Sequence, residues 1–176
     1  MAVEEAPTNP PLEAASAPEL DWNAVYAEQL PRVYNYFRFR LGRHADIDDL
    51  TSRTFEKAWK ARDQYRRDIA GFSTWLFGIA RNVAADDFRA RRVHLPLEAA
   101  HDRAADSSPE NEATHHSDMA RLAELTAHLS ERHREILALK YGAAVSNRLI
   151  ARITGLSESN VGTILQRMVA KLRSQW

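Results

Sequence analysis

Cysteine is absent from all 176 residues, which excludes a disulfide framework, a thiol nucleophile and any cysteine-containing zinc site. No apolar run approaches the roughly 18 residues that a membrane span needs, so no membrane insertion is expected. The N-terminal stretch is acidic and rich in proline and alanine, without the basic start and apolar core of a signal peptide. Together these absences give the expectation of a cytoplasmic protein. Sustained alternation of apolar and polar residues is also missing, which argues against strands. What remains is a soluble globular composition, 44% hydrophobic and 27% charged, on a chain with room for one ordinary domain or two small ones.

Net charge is missing too, but only in the sum. Residues 1–20 hold four acids and no base, whereas residues 21–92 hold 14 bases against 10 acids. Residues 93–118 hold one base against six acids, and residues 119–176 nine bases against four acids. Two basic blocks, each joined to an acidic segment, suggest two modules that meet polyanions and connecting segments that do not. Residues 1–20, with four prolines, read as a flexible arm. Residues 93–118, with Pro96, Pro109 and a Ser107-Ser108 pair, read as a flexible acidic linker. Blocks of about 72 and 58 residues are small, so each needs efficient helical packing or a partner.

Both blocks have helical periodicity, and the fold class is all-α with two small helical domains. Asp21 is placed to cap a helix carrying Val25, Leu30, Val33, Phe37 and Leu41, with Pro31 expected to bend or divide it and Gly42 to end it. Asp46 opens a second helix with Ile47, Leu50, Thr54 and Ala58 at spacings of three and four. A third is expected from about Ser73 to Arg91, with Phe72, Leu76, Ile79 and Val83 on one stripe. In the second block Leu122, Leu125 and Leu129 mark a helix. Ser130 caps another with Ile136, Leu137 and Leu139, which Gly142 is expected to stop.

Residues 147–173 carry the sharpest local pattern. Ala151, Gly155 and Val161 stand at relative positions 5, 9 and 15 of a helix-turn-helix. A small residue there lets the helices approach, glycine accepts a left-handed turn, and valine packs between them. Ser157 caps the second helix and points its first turn at a major groove. That helix carries few cations (Arg167, Lys171 and Arg173), so it binds duplex weakly unless tethered to a second site.

The first block mixes aromatics with bases. Tyr65, Phe72, Trp75 and Phe77 stand among Arg66, Arg67, Arg81, Arg89, Arg91 and Arg92, a combination suited to stacking and neutralising single-stranded nucleic acid. For Trp75 and Phe77 a core role is the plainer reading, because one stripe must fill a small core. Asp48-Asp49-Leu50-Thr51, Thr54-Phe55, Ala58-Trp59, Phe72-Ser73-Thr74-Trp75-Leu76 and Ile79-Ala80-Arg81-Asn82 then follow in order. This series resembles region 2 of the extracytoplasmic-function (group 4) sigma factors of bacterial RNA polymerase. Residues 129–173, from LSERHREILALKY through GLSESNV to AKLR, resemble region 4 of the same family.

The resemblance implies a non-enzymatic alternative sigma factor. Such a subunit directs core RNA polymerase to promoters, recognises minus-ten and minus-thirty-five elements, and promotes DNA opening. It assigns residues 21–92 to region 2 and 119–176 to region 4. It implies polymerase contacts in the neighbourhood of Asp48, Asp49, Leu50, Thr54, Phe55, Glu56 and Trp59, with Lys57 and Ala58 between them. The helical repeat must divide these between core and partner, Leu50 and Ala58 inward, Asp49 and Glu56 outward. Minus-ten contacts fall on Tyr65, Arg66, Arg67, Phe72, Ser73, Trp75, Arg81, Asn82, Asp86 and Arg89. Minus-thirty-five contacts fall on Ser157, Ser159, Asn160, Thr163, Arg167 and Lys171. The implied partners are core RNA polymerase, promoter DNA as duplex and as melted single strand, and an anti-sigma factor; the implied linker path runs through polymerase channels.

Other chemistry has little support. Asp86 and Asp87 are neighbours on a helix and diverge by about 100°, which disfavours a catalytic or metal pair; reading a cytosine amino group suits them better. His115-His116 lacks a third ligand at helical spacing, and no nucleophile–base set or phosphate loop is present. Neither a cofactor nor a metal is expected. Two rivals remain at this point: a stand-alone helix-turn-helix regulator, and a degenerate sigma-like protein-interaction module, which the cation-poor last helix favours.

Overall fold

The computed structural model describes residues 21–42, 46–94, 121–122 and 124–176. The arm of residues 1–20, the stretch 95–118 of the expected linker and the His115-His116 pair lie outside the described residues. Among the described residues every regular element is helical, and none is long and apolar enough to cross a membrane.

Helix α1 covers Trp22–Leu41, α2 Ile47–Lys60 and α3 Phe72–His94, with a short 3-10 turn at Arg62–Gln64 between the last two. Local chemistry sets their limits. The Asp21 carboxylate accepts from the backbone of Asn23 and Ala24 at 3.0 and 3.2 Å, and that of Asp46 accepts from Asp49 at 3.0 Å, each satisfying orphan amides of a first turn. Gly42 ends α1 with φ 65°. Pro31 does not divide α1, which runs through it with the ring on the exposed side. Val33, Tyr36 and Phe37 of α1, Leu50 and Ala58 of α2, and Leu76, Phe77, Ala80, Val83 and Ala84 of α3 are buried together as the first core.

Residues 121–122 and 124–127 are helical and lead to α4, Glu131–Leu137, whose Ser130 cap accepts from His133 at 3.4 Å. The chain then widens into a π turn over Ala138–Gly142. The helical run ends at Gly142, as expected, but the positive φ that follows, 51°, belongs to Ala144, while Val145 donates back to Leu139 at 2.9 Å. Gly142 serves a different need: a Cβ there would lie 2.8 Å from the Asn35 carbonyl oxygen and 3.2 Å from the Phe39 ring. The second domain therefore rests its backbone directly on α1.

Helices α5, Asn147–Thr154, and α6, Glu158–Gln175, form the helix-turn-helix. Ser146 and Ser157 cap them, accepting from Leu149 at 3.3 Å and Asn160 at 3.2 Å. Ala151 and Val161 are buried between the helices, and Gly155 turns the chain with φ 73°. Ile136, Leu139, Val145, Ile150 and Leu165 complete this core.

At Gly155 an added Cβ meets nothing within 4 Å, so only backbone conformation resists substitution. Gly155→Ala is expected to lower unfolding free energy by roughly 1–2 kcal/mol, read from urea melts. An unchanged midpoint would show that the turn relaxes without strain.

Candidate nucleic-acid interface

Helix α2 sorts its residues as a 3.6-residue repeat must. Asp48, Asp49, Glu56 and Trp59 are exposed, Phe55 is half-buried, and Leu50 and Thr54 are 1% and 0% exposed. A partner docked on α2 therefore cannot touch Leu50 or Thr54. Their inclusion among the contact residues is corrected by packing: the Thr54 hydroxyl is turned inward and donates to the Leu50 carbonyl at 2.8 Å. The exposed face is strongly charged, with Arg53 pairing to Asp49 at 3.5 Å and Lys60 to Glu56.

One feature escaped the sequence reading. Trp22, the first residue of α1, stands edge-on to Trp59 at 5.3 Å and edge-on to Phe72 at 5.7 Å. Phe72 in turn meets Tyr65 at 5.5 Å and Trp75 at 5.5 Å, and Tyr65 meets Trp75 at 5.2 Å. The Arg62 guanidinium lies 4.6 Å from the centre of the Trp59 ring. Five rings thus run continuously from the exposed side of α2 to the start of α3. Trp75 and Phe72 are half-buried and Phe77 fully buried, so the stripe fills core and also underlies the loop before α3.

That loop carries Arg66 and Arg67, both exposed; Arg66 holds Asp68 in a two-pronged pair at 2.8 and 3.0 Å. The Arg66 hydrogen bond keeps the Asp68 carboxyl below the usual range. Ser73 faces inward to the buried Gln29 at 3.5 Å. Along α3, Asn82 and Arg89 are exposed and Arg81 is partly covered. Asp86 accepts from Arg89 and from Lys57 of α2, and those two bonds hold it ionised well below the usual carboxylate range. Asp87 turns to Arg91 at 2.8 Å instead, so the adjacent acids do not converge. Among the described residues no group of three possible metal ligands exists.

On α6 the candidate readers separate cleanly from the core. Ser157, Ser159, Asn160, Thr163, Arg167 and Lys171 are exposed, while Val161, Leu165 and Met168 are buried. Asn160, Thr163 and Arg167 recur at spacings of three and four, forming one outward row.

The sequence reading also missed where Arg81 goes. Its Nε donates to Glu135 Oε1 at 2.7 Å and a terminal nitrogen to Oε2 at 3.3 Å, while the other donates to the Ile153 carbonyl. Arg40 donates to the same Glu135 at 3.0 Å, to Glu131 at 3.4 Å and to the Tyr36 hydroxyl. The available signal was a charge on an apolar stripe. Arg40 sits one turn beyond Tyr36, and Glu135 directly precedes Ile136 and Leu137. Burial opposes the Arg40 charge, but Tyr36, Glu135 and Glu131 outweigh it and raise its pKa. Burial pushes the Tyr36 phenol far up; Arg40 pulls it back only partly, and Glu135 adds to the rise.

The folded protein therefore keeps the Tyr36 proton where the unfolded chain loses it, near pH 10. That contribution to stability is complete below about pH 10 and declines as pH rises further. Unfolding free energies measured from about pH 9 to 11 should fall less steeply in Tyr36→Phe than in the wild type. Parallel curves would contradict the assignment.

The comparisons with known proteins agree with this geometry. Residues 25–93 match the family Sigma-70 region 2, and residues 119–172 match Sigma-70, region 4. The chain is 30% identical over 165 residues to the ECF RNA polymerase sigma factor BldN of Streptomyces coelicolor, covering 92% of this chain and 62% of BldN. It is 33% identical over 137 residues to the RNA polymerase sigma factor CnrH of Cupriavidus metallidurans, covering 72% of this chain and 71% of CnrH. The structure of CnrH in complex with the cytosolic domain of CnrY superposes with TM-score 0.59 at 26% identity, over 86% of this chain and 82% of CnrH. The sigma factor RpoE from Bartonella quintana, solved with the anti-sigma factor NepR, shares the fold with TM-score 0.66 at 21% identity, over 88% and 95% of the two chains.

Proposed function

The chain belongs to the extracytoplasmic-function sigma factors, alternative sigma factors for transcription initiation, and from that premise we propose how its own residues divide the work. The exposed side of α2, with Asp48, Asp49, Glu56 and Trp59, meets core RNA polymerase, with Phe55 at its margin. The first turns of α6 read a minus-thirty-five duplex through Asn160, Thr163 and Arg167, with Ser159 and Lys171 beside them and Ser157 fixing the helix start. The loop before α3 and the outer side of α3 hold melted minus-ten bases. Here Tyr65, Phe72 and Trp75 provide ring faces, Arg66, Arg67 and Arg89 provide charge, and Asn82 provides an amide for a base edge.

The observation that carries this reading is the outward row Asn160–Thr163–Arg167 on a helix whose other side is sealed by Val161, Leu165 and Met168. A helix presented in this way can enter a major groove without unpacking. Sigma factors are not enzymes in general, and the same holds in this reading. Extruded bases are trapped by stacking and hydrogen bonds, which shifts an existing opening equilibrium without nucleotide hydrolysis. CnrH was solved with the cytosolic domain of CnrY, and RpoE with an anti-sigma factor; a protein partner of that kind is expected here too.

The direct test is open-complex formation by bacterial core polymerase across a promoter library, with and without this protein. Selective opening at a shared motif supports the proposal. Polymerase binding without opening favours the degenerate interaction module, for which the sparse cations of α6 speak, and no polymerase binding favours a stand-alone regulator. Within the active complex, Asn82→Ala should reduce opening about tenfold, corresponding to one lost base contact of roughly 1.4 kcal/mol, while polymerase affinity stays unchanged. Equal losses in both assays would remove that role from Asn82. Arg167→Ala should weaken upstream duplex binding and reduce the slope of log K against log salt by about 0.9; an unchanged slope would mean that Arg167 touches no phosphate.

A further inference from the structure

The helix-turn-helix keeps its basic charge uncommitted. Residues 146–176 contain five cations, Arg148, Arg152, Arg167, Lys171 and Arg173, against the single acid Glu158. Among the described residues none of the five stands in an ion pair, whereas the first domain commits Arg53 to Asp49, Arg66 to Asp68 and Arg89 to Asp86. Three of the five lie on α6. The other two lie on α5, where Ile150, Ala151 and Ile153 turn inward and Arg148 and Arg152, one turn apart, are exposed on the opposite side. The first turn of α5 lies against the second turn of α6: a Cβ at Gly162 would stand 3.8 Å from the Asn147 Nδ2, and Gly162 directly precedes the candidate reader Thr163.

We infer that Arg148 and Arg152 grip the phosphate backbone at the wall of the groove that α6 enters, and so supply part of the phosphate contact that α6 lacks. Their role rests on the reading of α6 as the duplex reader. The dimensions of DNA then place α5. The major groove is about 12 Å wide and a helix with its side chains about 10–12 Å across, so one helix fills it. A second helix packed on the first has its axis about 8–10 Å away, which sets it over the groove wall, where the phosphates stand. Crossing the backbone is the place of the first helix of such a motif. Two arginines there, with Cβ atoms roughly 5–6 Å apart, can hold neighbouring phosphates of one strand through the paired N–H donors of each guanidinium. Contacts of this kind fix register and carry no sequence information, which leaves Asn160 and Thr163 of α6 to the base edges. They add to the affinity that linkage to the first domain supplies and do not replace it.

The test is duplex binding by the full chain, followed by fluorescence anisotropy on random-sequence duplexes from about 25 to 200 mM salt, the range over which phosphate contacts declare themselves. Arg148→Ala and Arg152→Ala should each reduce the slope of log K against log salt by about 0.9, and the double variant by about 1.8. At about 0.1 M salt each loss amounts to roughly eightfold weaker binding, by the same factor on every sequence. Arg148→Lys and Arg152→Lys keep the charge and should keep the slope. Urea melts identify a variant that has lost its fold, and the other position then carries the test.

An unchanged slope in the double variant overturns the assignment. So does an equal fall in Arg38→Ala, which removes one exposed charge from α1 and would mean that net charge alone sets the slope. A loss that emerges only after core polymerase is added gives the two arginines to a protein surface instead, and overturns it as well. Asn160→Ala tests the reading of α6 separately: it should relax preference within a duplex library and leave the slope alone. Lowered slopes for the α5 variants beside an Asn160→Ala variant of unaltered preference would leave the phosphate contact standing and remove Asn160 as a reader.

Discussion

The Glu135 carboxylate is 94% covered by protein and accepts from two arginines of the neighbouring domain, Arg40 and Arg81. Removing one member of such a buried pair leaves an unmatched charge and costs roughly 3–5 kcal/mol, even though the intact pair does little better than break even against apolar packing. The pair is therefore a weak source of net stability and a strong source of geometry. It dictates that α1 and α3 face α4 in one register, and Gly142 on Asn35 permits the close approach which that register requires. Tyr36 and Arg40, one turn apart on α1, complete the arrangement from inside the first core, so the domain contact is continuous with the packing of the first domain itself.

The helices were legible in the sequence because their limits depend on local chemistry. Asp21, Asp46, Ser130 and Ser157 are side chains that reach their own backbone three residues on, and such caps need no knowledge of the rest of the fold. Ala151, Gly155 and Val161 are similarly local, being consequences of two helices meeting at a short turn. The division of α2 was legible in its spacing: periodicity sends Leu50, Thr54 and Ala58 inward and leaves Asp49 and Glu56 outside, which is why Leu50 and Thr54 could not also be contact residues. Gly142 was read as a helix stop, and the helical run does end there, but its second role was hidden: the structure gives the positive φ to Ala144 and uses the glycine for a contact with a residue more than 100 positions earlier. Arg40 and Glu135 gave only the faint signal of a charge on an apolar stripe, and Trp22 gave none, because their partners lie far away in the sequence.

Trp22 deserves comparison with these because it joins two surfaces that were read separately. In the proposed division of surfaces the polymerase side of α2 ends at Trp59, and the minus-ten side begins at Tyr65 and Phe72. Trp22 packs edge-on against Trp59 and Phe72, and edge-to-face ring pairs contribute about 0.5–1.5 kcal/mol beyond their burial. Trp59 and Phe72 therefore share one indole as a common neighbour, which ties the exposed side of α2 to the start of α3.

The sparse cations of α6 gain meaning beside the contact between the two domains. A helix with Arg167, Lys171 and Arg173 as its bases has little sequence-independent grip on phosphate, and its contribution must come through base edges and through linkage to the other reader. Linkage raises affinity only when both readers can engage at once, and is lost when geometry forbids it. Arg81 donates to the Ile153 carbonyl near the C-terminal end of α5, the helix that precedes α6, so the two candidate DNA faces are held at one separation in this structure. A helix so poor in cations therefore depends for its grip on what the neighbouring domain contributes.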